Sequence, residues 1–298
     1  MTKKPPLPDV GSKTSSLWSQ DRRLEFIDFR LRWDGRINRS DITAFFGISV
    51  PQASLDIAKY LELAPENLSY DRSARIYLAG PKFKPVFASS HSSQYLNELL
   101  AIQAGVLEQT ASFIGWQPPV AIVPTPGRVL NAETLTALLS AMREQHSVKV
   151  LYQSMTQVAS QTRVISPHAF AHDGYRWHVR AYCHLRKQFR DFVIARILTI
   201  EPVEDVAPAH QEDSEWHTMV ELVLEPNPKL PTSHRQAIEL DYGMTQGQAR
   251  IVCRQALLFY ILEHLGLNQE SDQWPEAHQI VLKNRMVVES YLQTRKLV

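Results

Sequence analysis

The sequence predicts an α+β multi-domain chain, and three features carry that expectation. Apolar residues recur at helical spacing through most of the N-terminal part. From Ser147 the period switches to two across five short segments. The tail mixes both patterns. A chain of 298 residues is too long for one small domain, and 44% hydrophobic with 21% charged residues is the balance of a soluble globular protein. No run approaches the roughly 18 apolar residues of a membrane span. Residues 1–16 hold lysines, prolines and polar residues instead of the apolar segment of a signal peptide, and read as a disordered arm. Two cysteines, Cys183 and Cys253, allow neither a disulfide framework nor a four-cysteine zinc site, which suits a reducing cytoplasm.

The net charge of +1 conceals an uneven distribution. Residues 1–90 hold 14 Lys+Arg against 10 Asp+Glu, and residues 147–205 hold 8 against 5. Residues 91–146 hold 2 against 4, and residues 206–298 hold 8 against 12. Two basic blocks in a near-neutral chain fit contact with a polyanion at selected surfaces.

Leu17–Trp33 reads as a helix. Leu24, Ile27 and Leu31 mark one face and Phe26, Phe29 and Trp33 a second, which predicts burial on two sides, for example against a core and a dimer partner. Asp34-Gly35 ends it. A helix at about Ser40–Phe46 follows, with Ser40 as N-cap and Ile42, Phe45 and Phe46 apolar. Gly47 supplies a sharp turn. Ser49 and Gln52 have capping-box spacing with Pro51 in the first turn, and the helix they open runs to about Leu61, with Val50, Ala53, Ile57 and Leu61 inward. Leu68–Tyr70 and Arg75–Leu78 are short strands around Asp71–Ala74. This order is that of a winged helix-turn-helix, although similar spacing occurs in modules that bind no DNA.

Residues 93–113 and Ala132–Gln145 read as helices joined by the proline-rich 117–126; Leu135, Leu138, Leu139 and Met142 face inward in the second. The five strand candidates are Val148–Tyr152, Gln161–Ile165, Tyr175–Cys183, Phe189–Ala195 and Ile197–Val203, and a small antiparallel barrel is the economical closure. In the tail, Trp216–Leu224 and Ala249–Cys253 read as strands, and Ser233–Leu240 and Gln255–Leu265 as helices. Residues 280–292 are helix or strand.

In a winged helix-turn-helix the capped helix enters the major groove with its N-terminal residues toward base edges. Ser49, Gln52, Ser54, Leu55 and Lys59 are the outward residues there; Gln suits adenine and Lys suits guanine or phosphate. Arg72 and Arg75 on the wing suit phosphate or a narrow minor groove, and Arg36 and Arg39 beside the preceding helix suit the phosphate backbone. In the strand region, alternation puts His178, Arg180 and Tyr182 on one face, and Arg190, Phe192 and Arg196 together on the next strand. A loop of about His184–Gln188 would set Arg180 opposite or diagonal to Arg190. Like charges so placed repel, so an anionic ligand between them, flanked by Tyr and Phe, is the reading that explains them. Asp191 points away by parity, and Asp173 lies in a turn. The scattered histidines do not converge as a metal site requires, and no HExxH, CxxC, Walker, GxGxxG or GxSxG motif is present. No cofactor is expected.

The run Val148–Tyr152, Val164–His168, Tyr175–Tyr182 and Phe189–Ile197 resembles a WYL domain, with the naming tripeptide present as Trp177-His178-Val179. Together with the winged helix and the tail segments Ile238–Met244 and Ala256–Tyr260, the chain is similar over nearly its whole length to WYL-domain transcriptional regulators found beside BREX and CBASS phage-defence systems. The resemblance implies an Sm-like or SH3-like central barrel, a C-terminal dimerisation domain, and a homodimer that represses its own operon from an inverted repeat in double-stranded DNA. It also implies a ligand in the central domain, such as a nucleotide or nucleic-acid fragment, with Tyr152, Ser154, His168, His178, Arg180, Tyr182, Arg190, Phe192 and Arg196 as candidate contacts. The expected modules are the arm 1–16, a DNA-binding domain 17–90, a helical linker 91–146, a sensing domain 147–205 and a dimerisation domain 206–298. Two alternatives stay open: an enzyme acting on nucleotides or nucleic acid, and an interaction protein that binds no DNA.

Overall fold

A computed structural model describes residues 11–87, 91–124, 126–206, 212–268 and 275–292. Residues 1–10 of the expected arm lie outside the described residues. The chain forms two compact units, Met1–Pro124 and Thr125–Val298.

In the first unit, α1 (Gly11–Asp34) is helical from within the expected arm and ends at Gly35, whose φ of 70° suits a residue without a Cβ. Both of its apolar faces are buried in one core. Phe26 packs on Phe45, Phe46 and Phe113, and Phe29 on Tyr95 and Phe113, so this unit itself fills the side expected to meet a dimer partner. Tyr95 belongs to α4 (Ser92–Gln103), which makes the first half of the expected linker part of this core.

Between these helices lie β1 (Arg36–Ile37), α2 (Arg39–Phe46), α3 (Val50–Leu63), β2 (Leu68–Asp71) and β3 (Ile76–Ala79), with sheet order β1-β3-β2. The cap of α2 is Asn38, not Ser40: Asn38 accepts from the Asp41 amide while the Asp41 side chain accepts from the Asn38 amide. Gly47 closes α2 in the left-handed region at φ 64°. Ser49 caps α3, but Gln52 does not complete the box, because its amide donates to Asp56. The buried stripe of α3 is Ala53, Asp56, Ile57 and Tyr60. Val50 and Leu61, expected inward, are exposed.

In the second unit, α5 (Ala132–Glu144) precedes the five-stranded sheet of β4 (His146–Tyr152), β5 (Gln161–His172), β6 (Trp177–Cys183), β7 (Gln188–Val193) and β8 (Ile197–Val206), in the order β7-β6-β5-β4-β8. The expected closed barrel is not formed. Among the described residues β7 and β8 remain the edges, joined by the short 3-10 turn Ile194–Arg196. Closure is unnecessary for burial, because α5 covers the sheet with Leu138 and Ala141 against Val148, Val150, Ile165, Val179 and Ala181. Leu139, expected inward, is exposed. β5 shifts register between Pro167 and Ala169 and so bulges at His168.

The remainder comprises α6 (Ser214–His217), β9 (Met219–Pro226), α7 (Thr232–Asp241), β10 (Ala249–Arg254), α8 (Leu258–His264), β11 (Ile280–Leu282) and α9 (Arg285–Leu292), with sheet order β10-β9-β11. Trp216 lies in α6, ahead of the strand assigned to it. The segment that periodicity left untyped is a short strand followed by a helix.

The core position of α2 has a direct test. Ile42 is 0% exposed, so Ile42→Ala should lower the unfolding free energy by about 2–5 kcal/mol. Urea denaturation reads this; a loss below about 0.5 kcal/mol, the scale of surface changes, would mean that α2 is not packed as described.

Candidate functional site

The helix-turn-helix is held by buried polar contacts. Arg23 of α1 grips the α3 residue Asp56 through Nε at 2.6 Å and Nη2 at 3.2 Å, and Asp56 also accepts from Gln52 and Gln20. Further along, the Tyr60 hydroxyl donates to Asp28 at 2.6 Å, and Asp28 accepts from the Val86 and Phe87 amides. Burial, helped by the Asp28 carboxylate, holds the Tyr60 hydroxyl protonated. Two charged residues of α1 thus fix the pitch of α3, and a buried unpaired charge at either place is costly.

The predicted DNA-facing residues fall into two groups. Arg36, Lys59, Arg72 and Arg75 are exposed, with Lys59 making only a surface pair to Glu62. The others are engaged within the unit. Arg39 donates from Nε to Ser54 at 2.9 Å and from Nη2 to the Tyr77 hydroxyl at 2.7 Å, which ties α2, α3 and the wing together. Ser54 also donates to the Val50 carbonyl, Ser49 accepts from the Gln52 amide, and the Gln52 side chain donates to Asp56.

In the second unit the predicted ligand residues are divided between the two faces of the sheet. The hairpin pairs Cys183 with Gln188 across a four-residue loop, so Arg180 stands opposite Asp191 and Arg190 opposite Ala181. The expected five-residue loop is one residue too long, and a one-residue slip sends every side chain to the other face. Tyr152, Ser154, Arg190, Phe192 and Arg196 come together around a cavity of about 190 Å³, joined by Arg163 and Arg186, which sequence reasoning missed. Arg163 is 7% exposed, and its Nε is buried without a hydrogen-bond partner. The signal that could have found it is parity: Arg163 shares a face with buried Ile165, where an arginine is out of place.

Arg180, His168, His178 and Tyr182 do not reach this cavity. Arg180 is 1% exposed and binds three carboxylates: Asp213 at 2.7 and 2.9 Å, Glu215 at 2.8 Å and Asp191 at 3.2 Å. His168 Nε2 lies 2.9 Å from Asp213 and His178 Nε2 lies 2.8 Å from Asp173. Tyr182 packs edge-on against His184 and Phe189. Arg180 therefore joins the sheet to α6, away from the cavity. Asp191 belongs to both sites, since it lines the cavity and also takes hydrogen bonds from Arg180 and the Tyr260 hydroxyl.

Residues 19–101 match the BrxR transcriptional regulator winged helix-turn-helix domain, residues 133–202 the WYL domain, and residues 219–288 the BrxR transcriptional regulator C-terminal dimerization domain. The class is thus a three-part WYL regulator. The chain is 50% identical over 287 residues, 96% of each chain, to the DNA-binding transcriptional repressor CapW of Pseudomonas aeruginosa. It is 46% identical over 269 residues, 90% of each, to CapW of Escherichia coli (strain KTE188). It is 44% identical over 277 residues to CapW of Stenotrophomonas maltophilia, 92% of this chain and 93% of that one. The chain belongs to the CapW family of transcriptional repressors. The enzyme alternative is set aside, because these relatives are repressors and not enzymes.

The buried ion cluster makes stability depend on pH. Burial alone would raise the Asp213 carboxyl, but hydrogen bonds from Arg180 and His168 outweigh it and hold it below the usual carboxylate range. Burial would likewise raise Asp173, but hydrogen bonds from His178 and from the Tyr175 and Arg176 amides overcome it and hold the carboxyl low. Burial lowers His178. All three folded pKa values lie below their unfolded ones. The stabilisation from His178 is therefore complete above its unfolded value of about 6.5, and that from the two aspartates above about 4. Each fades as pH falls toward its folded value. Stability should decline below about pH 6.5 and more steeply below about pH 4, and Asp213→Asn should cost about 3–5 kcal/mol at pH 7. Denaturant melts across pH check both; a flat profile with an unchanged variant would contradict the cluster.

Proposed function

We propose that this chain is a homodimeric DNA-binding repressor that holds an inverted-repeat operator and is released when an anion fills the arginine cavity. The observation that carries the release mechanism is the convergence of Arg163, Arg186, Arg190 and Arg196 on one cavity beside Tyr152 and Phe192. Four guanidinium groups meet one carboxylate, Asp191, in this lining, so positive charge is in excess there, and each guanidinium offers a planar fork suited to phosphate or carboxylate. Arg163 adds a buried, unsatisfied donor, a group that costs free energy until an acceptor arrives.

Size narrows the ligand. The cavity holds about 190 Å³, less than the roughly 300–1,000 Å³ of sites that enclose a drug-sized molecule. It suits one phosphate group, with the attached nucleoside or strand lying across Met155 and Thr156 at its rim. A nucleotide or nucleic-acid fragment fits that description. Asp191 offers the route outward: an anion drawing in Arg190 and Arg196 changes the field at Asp191, and through it the Arg180 cluster and Tyr260 of the C-terminal part. On this reading residues 17–90 bind DNA, 147–205 sense the anion and 206–298 dimerise, in the cytoplasm, with control of a phage-defence operon as the role.

A gel shift on DNA from upstream of the gene tests this. Binding should weaken with added salt, because lysine and arginine at phosphates release counterions, and short single-stranded oligonucleotides should release the DNA from the wild type. Arg163→Gln with Arg190→Gln should keep operator binding and lose that release. Binding insensitive to salt would sink the DNA reading, and normal release of the double variant would sink the anion site.

A further inference from the structure

We propose that Leu55, flanked by Pro51 and Ala58, reads the C5-methyl group of a thymine in the major groove, so that operator choice there rests on apolar contact. The inference builds on the DNA-binding reading above and concerns how the sequence is recognised. The buried stripe of α3 is Ala53, Asp56, Ile57 and Tyr60. At 3.6 residues per turn the opposite line runs through Pro51, Leu55, Ala58 and Glu62, and all four are exposed. The base-facing end of this line, its first two turns, carries no hydrogen-bonding side chain.

The polar residues that could read bases are held elsewhere. Gln52 donates to an aspartate already gripped by Arg23, and Ser54 is bonded to both Arg39 and the Val50 carbonyl. Releasing Gln52 would uncover part of a buried carboxylate, which makes it a poor reader of adenine. Leu55 is 63% exposed. One exposed leucine needs no explanation, but Pro51, Leu55 and Ala58 in line on the central helix of the motif present a continuous apolar ridge.

Charge identifies the occupant. Arg36, Arg72 and Arg75 are exposed on the same unit, and Arg39 ties the N-terminal end of α3 directly to the wing. An apolar ridge on a unit that also exposes these arginines suits a polyanion with an apolar feature on its recessed surface. In the major groove that feature is the thymine methyl.

The experiment uses the full chain. Its preferred duplex is selected from random sequences, and each thymine is then replaced singly by deoxyuridine, which removes only the methyl group. One or two positions per half-site should lose about fourfold in affinity, the value of burying one such carbon. That loss should vanish in Leu55→Ala and persist in Lys59→Ala, whose affinity falls uniformly across sequences. A preferred site insensitive to deoxyuridine, or a penalty unchanged in Leu55→Ala, overturns methyl readout while leaving DNA binding intact. A chain that selects no duplex overturns both readings.

Discussion

The turn between β6 and β7 governs which arginines join the buried carboxylate cluster and which line the cavity. Four residues, 184–187, connect the strands and set Arg180 against Asp191. That register gives Arg180 to a cluster with Asp191, Asp213 and Glu215, and turns Arg190 and Phe192 toward Tyr152, Arg163 and Arg196. With one residue more, every β7 side chain would move to the other face. The junction to α6 and the cavity are thus two results of one hairpin. Breaking a buried pair exposes an uncompensated charge, so the junction resists change while the cavity, where Arg163 Nε lacks an acceptor, invites it.

A similar division runs through the winged helix-turn-helix. Asp28 and Arg23 of α1 hold α3 by its buried side, through Tyr60 and Asp56. Gln52 and Ser54 stiffen the helix by bonding within the unit, and the outward ridge is left apolar. The polar residues position, and recognition is left to shape and apolar contact.

The helices of the N-terminal unit were legible because their apolar residues recur at i, i+3 and i+4, and the strands because their period is two. Where two residues compete for one role, the pattern was silent: Asn38 caps α2 although Ser40 stands closer to the first apolar residue. Asp56 looks like a surface residue until Arg23, 33 positions away, is folded against it. Exposure of Val50 and Leu61 and burial of Asp56 reverse what hydrophobicity alone predicts for α3. The arginine site was legible as a concentration of positive charge with aromatics, but its membership was not. Loop length decides the face, and a loop end in sequence is uncertain by the one residue that matters. Arg163 lay in plain view at a core-facing parity. The open sheet also escaped prediction, since nothing in strand periodicity tells that α5 will cover it in place of a closing strand pair.

On the function proposed above, DNA and an anion in the arginine cavity oppose one another through one protein. Linkage then requires that the factor by which the anion weakens DNA binding equal the factor by which DNA weakens anion binding. Calorimetric titration of a 5′-phosphorylated dinucleotide into the free chain and into its DNA complex measures the second factor, and DNA titration with and without that ligand measures the first. Two equal factors are expected, both absent in the Arg163→Gln, Arg190→Gln variant. Equal dinucleotide affinity for the free and DNA-bound chain would contradict the proposed function.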